Sequence, residues 1–348
     1  MKSASRFATA CLLAALSCSA QATQKLCVFD FLGTSGDMYS MSKDYVLAMQ
    51  HYGADFELRG FVNEAQATEE FRNGNCDALV ASGFRTRQFN SVAASTDSLG
   101  ATTILRDGRI DTKGTYEVLR KLIQTYASVS PQVTKLMTNG NYEVGGITPA
   151  GAAYLFVNDR RINTVEAMAG KRISALDYDK AQAAMIQRIN GIPVSTDTSN
   201  FHLKFNAGQL DIMAAPTLAY RPLELYKGMG TKGGVVRFPL LIVSYQMIFN
   251  RTKFPEGFGE KSREFWMGQF DRVLQVIRTY DSTIPPSEWI DIDPEAAVKY
   301  TLLLRESRIA LAQQGLYDKR GLKVLKRIRC NVNPTDPECA TKSEEDWK

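Results

Sequence analysis

The chain has 348 residues, of which 42 are basic and 37 are acidic, so its formal charge is only +5. This balance excludes the composition typical of nucleic-acid-binding proteins, which carry basic residues clustered on one face. One local basic run, which contains Lys323, Lys326, Arg327 and Arg329, is interpreted as a solvated helix face. We therefore expect no nucleic-acid partner.

Residues 1–22 have the three parts of a secretory signal peptide. Two basic residues precede a short apolar stretch, and Ala20-Gln21-Ala22 fits a cleavage site. A lipoprotein signal ending at Cys18 is the alternative, but Ala15 stands where such signals usually have leucine. Elsewhere the sequence has no apolar run of the ~20 residues that a membrane span needs. We predict a soluble periplasmic protein, exported by a cleaved signal peptide.

Four cysteines, Cys27, Cys76, Cys330 and Cys339, follow the signal peptide. An even number in an exported chain predicts two disulfides; a zinc site is the alternative, but no histidine or second close cysteine pair supports it. Cys27 and Cys76 each lie at the entry of a predicted strand. If those strands are parallel neighbours, their starts lie at the same end of the sheet, within disulfide range. We predict the pairs Cys27–Cys76 and Cys330–Cys339.

The first part of the chain alternates predicted strands and helices. Strands are predicted at 25–31, 55–61 and 77–82, and the helix before the third strand is capped by Asn63 and ended by Gly74. This order is typical of a parallel, doubly wound α/β sheet. About 326 residues follow the signal peptide, which exceeds what one hydrophobic core normally organises, so two lobes are expected.

A second α/β unit follows Gly145-Gly146, which is interpreted as a turn where the chain crosses between lobes. Its predicted strands are 152–157, 172–176 and 211–215, and its predicted helices are 164–169, 178–190 and a short one ending at Gly208. Strands at 235–238 and 240–249 then return the chain to the first lobe. We assign residues 23–144 and 246–340 to lobe I, 145–245 to lobe II, and 341–348 to a polar, disordered tail.

The C-terminal third is predicted to be helical, with a long helix at 293–315. An aromatic stripe there, Phe265, Trp266 and Phe270, has helical spacing and is interpreted as core rather than as a ligand platform.

No catalytic or metal-binding constellation is visible in the sequence. His51 and His202 are far apart along the chain and have no paired ligand nearby. The sequence also lacks the G-x-S-x-G, P-loop and G-x-G-x-x-G motifs. We predict a binding protein without a cofactor, a metal or enzymatic activity.

Three passages resemble one known family. Residues 165–174 (VEAMAGKRIS) resemble its E-D-L-x-G-x-K-I-R passage, residues 205–211 (FNAGQLD) its L-x-x-G-x-V-D-G passage, and residues 237–255 its return strand and following turn. The family is that of the TRAP-type, DctP-like extracytoplasmic solute receptors. The whole mature chain is also similar to the AdeT-type branch of solute-binding proteins, some of which are labelled as multidrug efflux components. The resemblance implies two α/β lobes joined by crossover strands and a long helix, with a small-molecule ligand in the cleft and a membrane permease or transport complex as partner.

Ligands of open α/β sheets bind beyond the carboxyl ends of the strands. Four loops are therefore candidates for the site, at 33–39, 83–87, 177–179 and 216–221. Backbone N–H groups at the first of them can face an anion, because they precede a helix. Aromatic and charged side chains on these loops can form the walls of the site. The candidate ligand-binding residues are Ser35, Asp37, Tyr39, Phe84, Arg85, Arg87, Asp177, Tyr178, Asp179, Pro216 and Tyr220.

One position departs from the TRAP-type pattern. Ser174 stands where the family has an arginine that clamps the ligand carboxylate, and Arg172 lies lower on the same face of the strand. Two hypotheses follow: Arg85 or Arg87 replaces the clamp, or the acids of the candidate loops select a ligand with an amine. We expect a small polar ligand, captured for delivery to a membrane transporter. The alternative is an accessory component of an efflux or envelope complex, with an exposed apolar docking patch.

Overall fold

The computed structural model describes residues 23–347, and the predicted signal peptide lies outside them. The strands are β1 (Gln24–Phe29), β2 (Phe56–Phe61), β3 (Ala78–Ser82), β4 (Leu105–Arg106), β5 (Arg109–Ile110), β6 (Thr138–Asn139), β7 (Tyr142–Val157), β8 (Arg172–Leu176), β9 (Ile192–Thr196), β10 (Ile212–Pro216), β11 (Gly234–Asn250) and β12 (Trp289–Ile290). The helices are α1 (Asp37–Met49), α2 (Glu64–Arg72), α3 (Gly83–Thr86), α4 (Thr112–Ala127), α5 (Pro131–Met137), α6 (Lys180–Arg188), α7 (Phe201–Asn206), α8 (Leu225–Met229), α9 (Phe258–Gly268), α10 (Phe270–Asp281), α11 (Pro294–Gln313) and α12 (Lys319–Val332). Among the helices of residues 23–347, none combines the length and the apolar content that crossing a bilayer requires.

One sheet runs through both lobes in the order β2-β1-β3-β11-β7-β10-β8-β9. β2, β1 and β3 are parallel and form lobe I, while β10, β8 and β9 are parallel and form lobe II. The long strands β7 and β11 are antiparallel to each other and pass from one lobe into the other. α11 contacts α6 of lobe II and β5, and so spans the two lobes. The predicted two-lobed α/β fold with crossover strands is confirmed.

β11 is a single strand, although two strands were predicted in its place. Its pairing with β7 shifts register between Val236 and Leu241, around Pro239, which has no N–H to donate to the neighbouring strand. β9 was not predicted, and it contains Pro193 at the edge of the sheet, where a missing donor is tolerated.

The glycine pair that was interpreted as a turn lies inside β7 instead. A Cβ atom on Gly146 would come 2.2 Å from Cδ1 of Trp266, so the glycine lets α9 pack directly on the crossover strand. Trp266 is buried and stacks on Tyr45, with ring centroids 5.4 Å apart. Phe270 is buried as well, whereas Phe265 is half-buried and meets Tyr45 edge-on. The core interpretation of this aromatic stripe is confirmed.

Both predicted disulfides are present. The Cα atoms of Cys27 and Cys76 are 5.9 Å apart, and those of Cys330 and Cys339 are 5.6 Å apart. The first pair follows from the parallel arrangement of β1 and β3, in which the backbone N–H of Asp77 donates to Lys25 across the strand starts.

The predictions of a disordered tail and of a fully solvated basic face were wrong. Glu344 is only 1% exposed, and its carboxylate pairs with the guanidinium groups of Arg308, at 2.6 Å, and Arg329. Burial alone would raise the pKa of Glu344, but the two arginines outweigh it and hold the pKa at about 2. Lys326 is buried too, and its Nζ donates to the backbone oxygen of Thr341. These paired charges tie residues 341–347 to α11 and α12.

Candidate functional site

A cavity of about 180 Å³ lies between the lobes, at the carboxyl ends of strands from both. Phe29 and Phe84 reach it from lobe I, and Ile173 and Pro216 reach it from lobe II. Leu241, on the crossover strand β11, forms part of its floor. This is the position in which open α/β sheets bind their ligands.

The wall of this cavity is almost entirely apolar. Within the described part of the chain, no Asp, Glu, Lys, Arg or His lines it. Polar groups are few: besides three tyrosines, the polar lining residues are Ser82, Ser174, Gln182, Thr196 and Thr198. Ser174, at the position of the TRAP-type arginine, therefore faces a space without charge.

α11 and the turn after it contribute one side of the cavity. Tyr300, Leu303 and Leu304 of α11 line it together with Tyr317. Sequence reasoning missed these residues, because their helical spacing is the same as that of any buried helix face. Tyr300 stacks on Phe238 with ring centroids 4.9 Å apart, and among residues 23–347 its buried hydroxyl has no hydrogen-bond partner.

Two arginines of α3 and its C-terminal end meet lobe II residues across the cleft. The Cζ atom of Arg85 lies 3.3 Å from the ring centroid of Tyr178, whose hydroxyl donates to Oε2 of Glu64 at 3.0 Å. Nη1 of Arg87 lies 3.2 Å from Oδ1 of Asp179. We call Glu64, Arg85, Arg87, Tyr178 and Asp179 the interlobe cluster.

Every member of the interlobe cluster is at least half-buried, and the local structure positions each one. Glu64, at the start of α2, is fully buried and also accepts from the backbone N–H of Ser82 at 2.7 Å. Asp179 caps α6 by accepting from the backbone N–H of Ala181. Burial raises the pKa of Tyr178 well above its usual value, so its hydroxyl keeps the proton that it donates to Glu64. The cluster joins the lobes through paired polar groups.

Another buried carboxyl lies beneath α3. Asp97 is fully buried and accepts from the backbone N–H of Ser244 at 3.0 Å and from the Ser244 hydroxyl. Burial raises the pKa of Asp97 to about 7, although the hydrogen bonds from Ser244 and the charge of Arg87 oppose this rise. Asp97 therefore changes charge near neutral pH.

Stability is expected to fall as the pH rises through the range in which Asp97 ionises. Because its pKa in the folded protein is about 7 and its ordinary value is 3.8, the folded state holds this proton more tightly than the unfolded state between those values. Stability should decrease by roughly 1 kcal/mol per pH unit between pH 5 and pH 7 from this group. Denaturant unfolding at several pH values measures the slope. Asp30 and Asp281 also have raised pKa values, so Asp97→Asn is compared with the wild type, and an unchanged slope would contradict the assignment.

Comparison with known proteins identifies the chain. The family model described as solute-binding protein AdeT 1/2 matches residues 51–344. This chain belongs to the AdeT 1/2 family of solute-binding proteins. AdeT1 of Acinetobacter baumannii is 41% identical over 317 residues, which cover 91% of this chain and 100% of AdeT1. AdeT2 of the same organism is 27% identical over 209 residues, which cover 60% of this chain and 88% of AdeT2.

Solved structures with the same fold are TRAP periplasmic solute-binding proteins. One from Desulfovibrio salexigens, with bound orotic acid, has a TM-score of 0.69 and 13% identity, over 89% of this chain and 99% of that one. One from Shewanella oneidensis, with bound succinate, has a TM-score of 0.67 and 8% identity, over 88% of this chain and 100% of that one. At these low sequence identities, the structural similarity shows only that the AdeT-family chain has the same fold.

The AdeT-family chain brings only part of the predicted site to the cavity. Phe84 and Pro216 line it, whereas Arg85, Arg87, Tyr178 and Asp179 pair with one another or with Glu64 in the interlobe cluster. Neither arginine lines the cavity, although Nε of Arg85 and Nη2 of Arg87 have no hydrogen-bond partner within residues 23–347. Asp179 is paired, which leaves it no free charge for an amine.

The other predicted residues lie elsewhere. Ser35 and Asp177 are exposed, Asp37 accepts from the hydroxyl of Tyr280 at 2.7 Å beside a smaller cavity of about 60 Å³, and Tyr39 is half-buried beside Lys43. Tyr220 does not line the interlobe cavity: it is 1% exposed in the core of lobe II and donates to Glu288. Aromatic side chains on loops can serve either role, and spacing alone does not separate them.

The predicted anion site before α1, and Arg172 beside the position of the family's arginine, contact the chain's own residues. The buried carboxylate of Asp30 accepts from the backbone N–H groups of Leu32 and Met38, each at 2.9 Å, at the start of α1. Arg172 forms a bidentate ion pair with Asp211, at 3.0 and 2.8 Å. The chain thus satisfies these groups internally, and neither is available to a ligand.

Proposed function

We propose that this protein is a periplasmic receptor that captures a small molecule in the interlobe cavity and delivers it to a membrane transporter, without enzymatic activity. The observation that carries the proposal is the position of the cavity. It lies between two lobes that are joined by β7, β11 and α11, which is the arrangement that allows hinge closure around a ligand. The predicted signal peptide and both disulfides support export to the periplasm.

Native mass spectrometry of the protein purified from its own periplasm tests capture. A small molecule should co-purify at one per chain and be released on unfolding. Ala214 lines the cavity, and Ala214→Phe should abolish the bound mass because the added ring fills the space. Leu203→Phe is the control, since Leu203 is exposed on α7, and it should retain the molecule. Retention of the same mass by Ala214→Phe would place binding outside this cavity.

Delivery to a transporter is tested separately, by crosslinking the ligand-loaded protein in intact cells. A membrane permease should be the crosslinked partner, and the yield should fall when the cavity is blocked by Ala214→Phe. Crosslinking to efflux or envelope components that is unaffected by this substitution would favour the accessory role instead.

A further inference from the structure

The chemistry of the interlobe cavity limits the ligands that it can hold. We propose that it binds a neutral, largely apolar molecule about the size of one substituted ring, and not a small carboxylate. This inference rests on the proposed function, because it assigns the ligand class of the same cavity.

The wall of the interlobe cavity carries no charged side chain among residues 23–347. A ligand carboxylate enclosed there would lose its hydration without gaining a counter-charge, which is strongly unfavourable. Ser174 offers a hydroxyl, which can hydrogen-bond a neutral oxygen but cannot neutralise an anion.

The nearest arginines do not change this balance. Arg85 is stacked on the ring of Tyr178 and lies 3.8 Å from Glu64, and Arg87 is paired with Asp179. Neither arginine lines the cavity, and moving either guanidinium into it would separate Arg85 from Tyr178 or Arg87 from Asp179. Such a loss opposes the gain from binding an anion.

The size of the cavity and its apolar wall suit a small ring. The apolar lining includes Ile173, Met185 and Ile212 of lobe II, together with Phe29 and Leu241. A dry, apolar cavity of about 150 Å³ is large enough for benzene, so about 180 Å³ admits a ring with a small substituent. The flexible side chain of Met185 can adapt to more than one such shape.

The few polar side chains limit how polar the ligand can be. Ser174, Thr198 and Gln182 are polar residues in the lobe II part of the wall, as is Thr196, whose hydroxyl already donates to the backbone oxygen of Ala175. Because the Oε1 atom of Gln182 already accepts from the backbone N–H of Leu176, its remaining donors can contact one ligand oxygen. A ligand with one or two hydroxyl or carbonyl groups suits this set.

Isothermal titration calorimetry with matched pairs of probes tests the ligand class. The pairs are benzyl alcohol with benzoate, 1-hexanol with hexanoate, and indole with indole-2-carboxylate, with succinate as a dicarboxylate. In at least one pair, the neutral member should bind ~100-fold more tightly or better than its carboxylate. Native mass spectrometry beforehand identifies any co-purified molecule, which should also be neutral.

Two variants at one position sharpen the test. Ser174→Arg places a guanidinium in the wall and should reverse the preference within the pairs, while Ser174→Val should preserve it. The comparison in the wild type requires no variant and decides the question even if Ser174→Arg fails to fold. If the wild type binds benzoate or hexanoate more tightly than the neutral member of the pair, or succinate more tightly than every neutral probe, the proposed ligand class is wrong. Solute capture would still be supported. Binding of no probe and no co-purified molecule overturns both proposals.

Discussion

Glu344→Ala is expected to lower the free energy of unfolding by about 3–5 kcal/mol, because it removes one partner from a buried ion network. Arg308 and Arg329 are each 2% exposed, and without Glu344 their two positive charges would face one carboxylate, that of Glu338, beside the backbone oxygens of Leu99 and Ala101. Chemical denaturation followed by circular dichroism measures the change. Glu344→Gln should also destabilise the protein, since an amide does not carry the charge that balances two arginines.

Glu345→Ala is the matched control for this experiment. Glu345 is adjacent in sequence, but its side chain is 40% exposed and its ion pair with Lys326 is longer, at 3.4 Å. Its removal should cost clearly less than that of Glu344, because Lys326, although buried, keeps its hydrogen bond to the backbone oxygen of Thr341. Equally small effects of Glu344→Ala and Glu345→Ala would show that the tail contributes little to the fold.

Arg87→Ala is expected to shift the ligand-free protein towards separated lobes. The substitution leaves Asp179 buried, at 3% side-chain exposure, without the arginine that pairs with it. Loss of one partner from a buried charged pair typically costs 2–5 kcal/mol, and opening the cleft relieves this cost by hydrating the carboxylate. The population of open molecules should therefore rise by at least ~10-fold. Small-angle X-ray scattering should detect this as a larger radius of gyration, and amide exchange should increase near α3 and α6.

The control for the interlobe cluster is Arg188→Ala. Arg188 on α6 pairs with Glu306 on α11 at 3.3 Å, but both side chains are largely exposed. This pair also links lobe II to α11, which spans the lobes. Arg188→Ala therefore tests whether an exposed salt bridge holds the lobes together as well, or whether only the buried pair does. Tyr178→Phe should have an intermediate effect, because it removes the hydrogen bond to Glu64 but keeps the ring beneath Arg85. If Arg87→Ala scatters as the wild type does, the cluster does not hold the lobes together.

Local patterns were sufficient to predict the order of the elements. β8 was predicted with its observed bounds, and β3 and α11 were predicted to within two residues at each end. The N-cap of α2 at Asn63 and its end before Gly74 depend only on neighbouring residues. The side chain of Asn63 does accept from the backbone N–H of Gln66. The pairing of Cys27 with Cys76 followed from parallel strand order, which is itself a consequence of the alternating pattern.

The sequence alone determined the two-lobed α/β class and the resemblance to TRAP-type receptors, because both depend on short-range patterns and motif order. Only the tertiary structure decided which polar groups pair with each other. Arg87 and Asp179 are 92 residues apart, and Arg308 and Glu344 are 36 apart, and no local spacing distinguishes such partners from free loop charges. The same holds for the apolar cavity, whose walls come from both lobes, both crossover strands and α11. A side chain that lines a ligand cavity and one that fills the core have the same periodicity, so packing alone separates them.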